Sequence, residues 1–193
     1  MIWFTTDTHF GHANIIRHCR RPFASVEEMD ATLLRNINDR VKPGDTLYHL
    51  GDFAFRTGRP DAYREKIKCR RLILIMGNHD PHTAAGYPKA DFAALFSEVH
   101  LLLRVKLPVA GKPQLIVLCH YAMRIWDRAH YGAWHLFGHS HGTLPDDPNA
   151  RSWDVGVDTN DFKPLSLDDI AAIMARKRFA PADQHRSRWK DDC

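Results

Sequence analysis

The sequence predicts an α/β fold with mixed β-sheets, and three observations carry that expectation. Short apolar runs rich in β-branched and aromatic residues recur between turn residues, at Ile2 to Thr6, Thr46 to Leu50, Arg71 to Met76, Leu101 to Val109, Gln114 to Cys119, Ala133 to Phe137 and Ser152 to Val157. Their length suits strands, several of them buried on both faces. A helix-period stripe of Val26, Met29, Leu33, Ile37 and Val41 separates the first two runs, and the order strand, helix, strand implies a parallel crossover. Two later runs flank the turn Ala110-Gly111-Lys112-Pro113, so they read as an antiparallel hairpin and make the sheets mixed.

Each element has a local reason. The long helix opens on Ser25-Val26-Glu27-Glu28, a capping-box pattern, and stops at Pro43-Gly44. Asp61 to Lys68 reads as a second, short helix leading into the third strand, and Val99 to Pro108 with Gln114 to Cys119 as the arms of the hairpin. Ser166-Leu167-Asp168-Asp169 caps a last helix through about Ala175. Beyond Arg178 the chain is polar, so one domain over residues 1–178 and a flexible tail over 179–193 are expected. No internal repeat, low-complexity block or linker interrupts it.

Composition narrows the class. With 193 residues and 44% hydrophobic content the chain closes one full core. Cys19, Cys69, Cys119 and Cys193 form no C-x-x-C pair, which argues against a disulfide framework or a thiolate zinc site and fits a reducing cytoplasm. No signal-like start and no apolar run of membrane-spanning length is present, so an unexported protein with no membrane partner is expected. The net charge of +4 sits mostly in the last residues, which leaves the body nearly neutral and without a broad nucleic-acid-binding face. Thirteen histidines are the unusual feature.

Many of those histidines fall where strands end. Asp7 and His9 follow the first strand, Asp52 the second, Asn78, His79 and Asp80 the third, His120 the strand from Gln114, and His139 and His141 the strand from Ala133. In α/β folds ligands bind beyond the carboxyl ends of the strands, so residues far apart in sequence can converge there. Taken singly, Asp7 and Asp52 fit turns, Asn78 a left-handed position and His120 a hydrogen-bonded core. Taken together, Asp7, His9, Asp52, Asn78, His120, His139 and His141 have no common structural purpose without a charged guest. A set of two Asp, one Asn and four His without Cys suits Mn²⁺, Fe or Zn²⁺. It is too large for one tetrahedral ion and fits two ions that share a carboxylate.

The motifs Asp7-Thr8-His9, Gly51-Asp52, Gly77-Asn78-His79-Asp80, His120 and Gly138-His139-Ser140-His141 stand in the order seen in calcineurin-like metallophosphoesterases, which residues 1 to about 158 resemble. The resemblance implies two mixed sheets packed as a sandwich flanked by helices, in four αββα layers. It implies two divalent transition-metal ions, Mn²⁺ ahead of Fe or Zn²⁺. Asp7, His9 and His141 would hold one ion, Asn78, His120 and His139 the other, and Asp52 would bridge. Two histidines that as a same-face strand pair would chelate one ion are thereby divided between two. The shortness of the chain leaves no room for a cap domain.

The resemblance also implies that His79 is no ligand but the proton donor to the leaving group, with Asp80 orienting its ring. Around these residues the assignments are looser. His12 and Arg124 are candidate substrate contacts, and Arg17, Arg20 and Arg21 form a basic cluster on the first connection. Trp126, Tyr131 and Trp134 could stack a nucleobase or simply pack. Cys119 reads as core, on the strand face opposite His120. The function expected is dinuclear metal-dependent hydrolysis of a phosphomonoester or phosphodiester, on a small phosphorylated or nucleotide-like substrate. The rivals are a metal-dependent nuclease, disfavoured by the neutral body, and a non-catalytic interaction module, disfavoured by the intact ligand set.

Overall fold

Strand β1 (Ile2–Thr5) alternates its side chains between two neighbours. Trp3 packs with the first helical layer and Phe4 with the second sheet. The structure, a computed structural model, describes residues 1–55, 59–180 and 182. β1 lies in a five-stranded sheet ordered β4 (Glu98–His100), β3 (Arg71–Ile75), β2 (Thr46–His49), β1 and β9 (Leu165–Ser166). β1 to β4 run parallel and β9 antiparallel. The second sheet is ordered β5 (Leu102–Val109), β6 (Lys112–Cys119), β7 (Trp134–Phe137) and β8 (Ser152–Asp154). Its β5–β6 pair is the expected antiparallel hairpin, while β6, β7 and β8 are parallel.

The layers follow from the period of two. Trp3, Leu47, Leu72 and Leu74 meet Met29, Leu33 and Ile37 of helix α2 (Val26–Arg40), which follows the short helix α1 (Ala13–His18). Phe4, Tyr48, Ile73 and Ile75 meet Ile116, Leu118, Trp134 and Leu136 between the sheets. Each such burial contributes about 1.5–3 kcal/mol. The two-sheet sandwich is thus the architecture. Over the second sheet the outer layer is thin: Val117 is covered by Trp126, Ala129 and Ala133, from a loop containing the 3₁₀ turn Ala129–Tyr131.

Several elements differ from expectation for physical reasons. The run beginning at Val99 serves both sheets, because the chain bends at the exposed Leu101 and leaves β4 beside β3 and β5 beside β6. Periodicity cannot reveal which sheet a run joins. Helix α3 is Pro60–Lys66, with proline in its first turn, and α4 (Ala90–Ala93) is too short to carry a period. Ser25 caps α2 by accepting the Glu28 N–H at 3.2 Å, but the Glu28 carboxylate accepts from Ala24 N–H, so only half the box forms. The box is complete at α5 (Leu167–Ala175), with Asp169 in the acidic position. Cys119 is half-buried and not core. Phe179 and Ala180, expected in the tail, lie along the loop after His141, where the Ala180 N–H donates to Asn149 O. Of the rest of the expected tail, residues 181 and 183–193 lie outside the described residues. Among the described residues no helix is long and apolar enough to cross a membrane.

Candidate metal centre

Parallel strands end together, so β1, β2 and β3 of one sheet and β6 and β7 of the other deliver their following loops to one place. Hydrogen bonds sew the two sheets there. His120 Nδ1 lies 2.7 Å from Leu50 O, the Val157 N–H donates to Thr6 O at 3.2 Å, and the His139 N–H donates to Asp7 Oδ2 at 2.9 Å. Asp7, His9 and His141 come within ligating distance of one another, with donor atoms inside 4.8 Å, and so do Asp52, His120 and His139. One oxygen, Asp52 Oδ2, is 3.4 Å from His9 Nε2 and 3.5 Å from His120 Nε2, between the two groups. Asn78 Oδ1 joins the second group at 3.2 Å from His120 Nε2.

The backbone is bent to achieve this. Asp7, His9, Asp52, His139 and His141 all have positive φ, between 49° and 69°. Such conformations cost about 1–3 kcal/mol each and persist only where the surroundings over-determine them. Gly77 and Gly138 admit the carboxylates: a Cβ at Gly77 would stand 2.2 Å from Asp52 Oδ1, and one at Gly138 2.5 Å from Asp7 Oδ2. The His79 N–H then holds Asp52 Oδ1 at 2.8 Å.

The donor set fits divalent metal. Asp7 Oδ1 and both ring nitrogens of His9 are buried without a hydrogen-bond partner among the described residues, an expensive arrangement unless a ligand completes it. Burial pushes the Asp7 carboxyl up to about 7 and His9 down to about 2, which keeps the His9 ring neutral with one nitrogen lone pair free. For Asp52 desolvation acts upward, but the hydrogen bond and charge of His120 and the charge of His9 outweigh it and hold the carboxylate well below its usual range. Cys19, His141 and Asp158 also lie close together, but Asp158 is already engaged by His141 and Arg21.

Asp80 has a different place from the one expected. Its carboxylate is fully buried and accepts the N–H groups of Asp52, Phe53 and Gly77 at 2.9–3.0 Å, so it braces the Asp52 turn and does not orient the His79 ring. Burial pushes it up to about 7. The half-buried His79 ring sits 5.2 Å from that of His9 and has no side-chain hydrogen bond among the described residues. His12 is buried, stacks on Phe55 at 3.9 Å and leaves Nδ1 unpartnered. Arg124 is exposed and lines a separate cavity. Of the basic cluster, Arg21 is buried in an ion pair with Asp158; Trp134 is buried in packing and offers no stacking face, while Trp126, also mostly buried, lines the same cavity as Arg124.

Two residues brace the site: Asp158, unread in the sequence, and Arg21, read there only as part of a basic cluster. Asp158 Oδ2 lies 2.6 Å from His141 Nδ1 and accepts from Arg21 Nη2 at 2.8 Å, while Arg21 also donates to Asp7 O and Thr8 O. A carboxylate on the far nitrogen fixes an imidazole's tautomer and aim. Asp158 directly follows the run Ser152 to Val157, which holds β8, so the strand-end rule could have found it. Arg21 carries no such signal.

Comparison with known proteins agrees with this geometry. The model of the calcineurin-like phosphoesterase family matches residues 1–158. The chain is 29% identical over 182 residues to the uncharacterized protein MJ1445 of Methanocaldococcus jannaschii, covering 91% of this chain and 92% of the relative. It is 30% identical over 129 residues to the Gene 66 protein of Mycobacterium phage L5, covering 62% of each. Among solved structures, a protein of unknown function from Aquifex aeolicus, AQ665, superposes with a TM-score of 0.64 at 26% identity, over 90% of this chain and 98% of that one. With the family's model spanning all of the clustered ligands, the chain belongs to the calcineurin-like phosphoesterases.

Proposed function

We propose that the chain hydrolyses phosphoric esters with a pair of divalent cations, Mn²⁺ first among them, and that its substrate is a small phosphorylated or nucleotide-like molecule. The observation that carries this reading is the position of Asp52 Oδ2, shared between one group of Asp7, His9 and His141 and another of His120, His139 and Asn78. When bound, such cations polarise a phosphoryl group and lower the pKa of water enough to give a nucleophile at neutral pH. Asp7, His9 and His141 would hold one cation, Asn78, His120 and His139 the other, and Asp52 both.

The protein's own groups do the rest. Asp80 and the His79 N–H fix Asp52, and Asp158 fixes His141. His79 is placed beside the first group without being tied down, and its imidazole gives a proton to the leaving oxygen. His12, whose ring lies 6.5 Å from that of His79, contacts the substrate phosphate.

A matrix of metals against substrates tests the reading. The expected result is Mn²⁺-dependent hydrolysis of p-nitrophenyl phosphate or its bis ester, abolished by a chelator. A chain that takes up both metals and cleaves neither ester points to an interaction module, and faster cleavage of single-stranded DNA than of any small ester points to a nuclease.

A further inference from the structure

The cleft beside His139 and His141 has a volume of about 600 Å³, and Ala122 and Leu144 form part of its wall. The same two residues line a neighbouring cavity of about 450 Å³, a size suited to a small organic ligand. The two spaces are therefore neighbours that share this wall. The neighbouring cavity has aromatic walls, Trp126, Phe137 and Phe179, and two guanidinium groups, Arg124 and Arg151. The Arg151 group lies 4.7 Å above the Phe179 ring, and its Nε is buried with no hydrogen-bond partner among the described residues.

A buried guanidinium without a counter-charge is costly, and an anion entering the cavity that Arg151 lines would offset that charge. The acidic residues on the rim do not fill that role. Asp146 is paired with Lys177, and Asp147 Oδ1 accepts the Asn149 N–H at 2.8 Å. Among the described residues neither Arg124 nor Arg151 has a carboxylate partner.

We propose that this cavity holds the non-reacting part of the substrate and selects phosphoesters that carry a second phosphate on an apolar or aromatic body. Only the position of the reacting phosphate rests on the function proposed above. The guanidinium fork takes the second phosphate, and the aromatic walls take the body between the two.

Isothermal titration of the full chain in excess Mn²⁺ with adenosine 3′,5′-bisphosphate and with adenosine 5′-monophosphate provides the test. The bisphosphate is expected to bind at least about tenfold tighter, the gain of one charge-assisted contact. Arg151→Gln, checked for an unchanged melting temperature, should bring that ratio towards one, and Arg124→Gln, at an exposed loop position, should narrow it. Equal affinities in the wild type, or a ratio that survives both substitutions, overturns the subsite. Hydrolysis of p-nitrophenyl phosphate, which has nothing to place in the cavity, is scored separately. A chain that prefers the bisphosphate but cleaves no ester keeps the subsite and loses the catalytic reading.

Discussion

The two ligand groups meet at Asp52 but are built differently. Asp7 and His9 are buried, with unpartnered atoms, and His141 is braced through Asp158 by a guanidinium that also grips the Asp7 and Thr8 carbonyls. In the other group His139 is exposed, Asn78 is half-buried, and the Tyr121 ring lies 4.9 Å from that of His139 at the cleft. A buried group and one that opens to solvent at His139 stand side by side, and on the function proposed above the first would retain its cation while the second would face the arriving ester. That contrast can be broken or sharpened residue by residue.

Asp52→Asn breaks it at the centre. The shared oxygen loses its charge, so metal content should fall below two per chain and ester hydrolysis by about 10³-fold, the scale seen when one electrostatic stabiliser is removed. Elemental analysis and p-nitrophenyl phosphate kinetics measure both. Two tightly held metals in that variant would mean that Asp52 does not join the groups. His79→Ala stands next. As a proton donor and not a ligand it should keep both metals and lose about 10²–10⁴-fold in kcat. Metal content falling in step with activity would make His79 a ligand instead.

How much of this was legible follows from the kind of order each residue imposes. The strand-end rule exposed Asp7, His9, Asp52, Asn78, His120, His139 and His141, because parallel strands ending together turn a one-dimensional pattern into a three-dimensional cluster. Helix α2 was legible from its apolar stripe and cap. The split at Leu101 was not, since alternation specifies a face and says nothing of the sheet that owns it. The left-handed backbone at five ligands was hidden too: Asp and His are enriched at positive φ, but most residues of those types are not there, so residue type alone does not mark the position. Asp80 looked like the partner of its neighbour His79, yet three backbone N–H groups claim its carboxylate. Arg21 looked like a surface cation and is buried, because its partner lies 137 residues away.

Asp158→Asn sharpens the contrast from the buried side. It removes the charge that both Arg21 and His141 face. Affinity at the first group should fall about ten- to hundredfold, the usual scale for a residue that orients a ligand. Leaving the Arg21 guanidinium buried without its counter-charge should cost about 3–5 kcal/mol in urea unfolding of the metal-free protein. Affinity at the second group should stay as it was. Competitive metal titration separates the two sites, and an equal loss at both would show that the brace supports the whole centre and not one half.

The smallest expected effect is a difference in proton competition. Metal binds the deprotonated ligand, so a group whose pKa is raised in the metal-free protein loses affinity below that pKa and gains it as pH rises. In the first group His9 is pushed down to about 2 by burial and has no proton to give up near neutrality, whereas burial pushes Asp7 up to about 7. In the same group burial acts downward on His141, but its bond to Asp158 holds it above the ordinary value. In the second group burial acts downward on His120, yet the hydrogen bond and charge of Asp52 prevail and push it up to about 9. First-group affinity should therefore level off at a lower pH than second-group affinity, which should keep rising towards about 9. Neither slope should exceed about tenfold per pH unit for one proton displaced. Titrations across that range in buffers of different ionisation enthalpy count the protons released. Two curves levelling at the same pH would show that the six titratable ligands behave as one coupled unit, and the division between a retained and an exchanging cation would lose its physical basis.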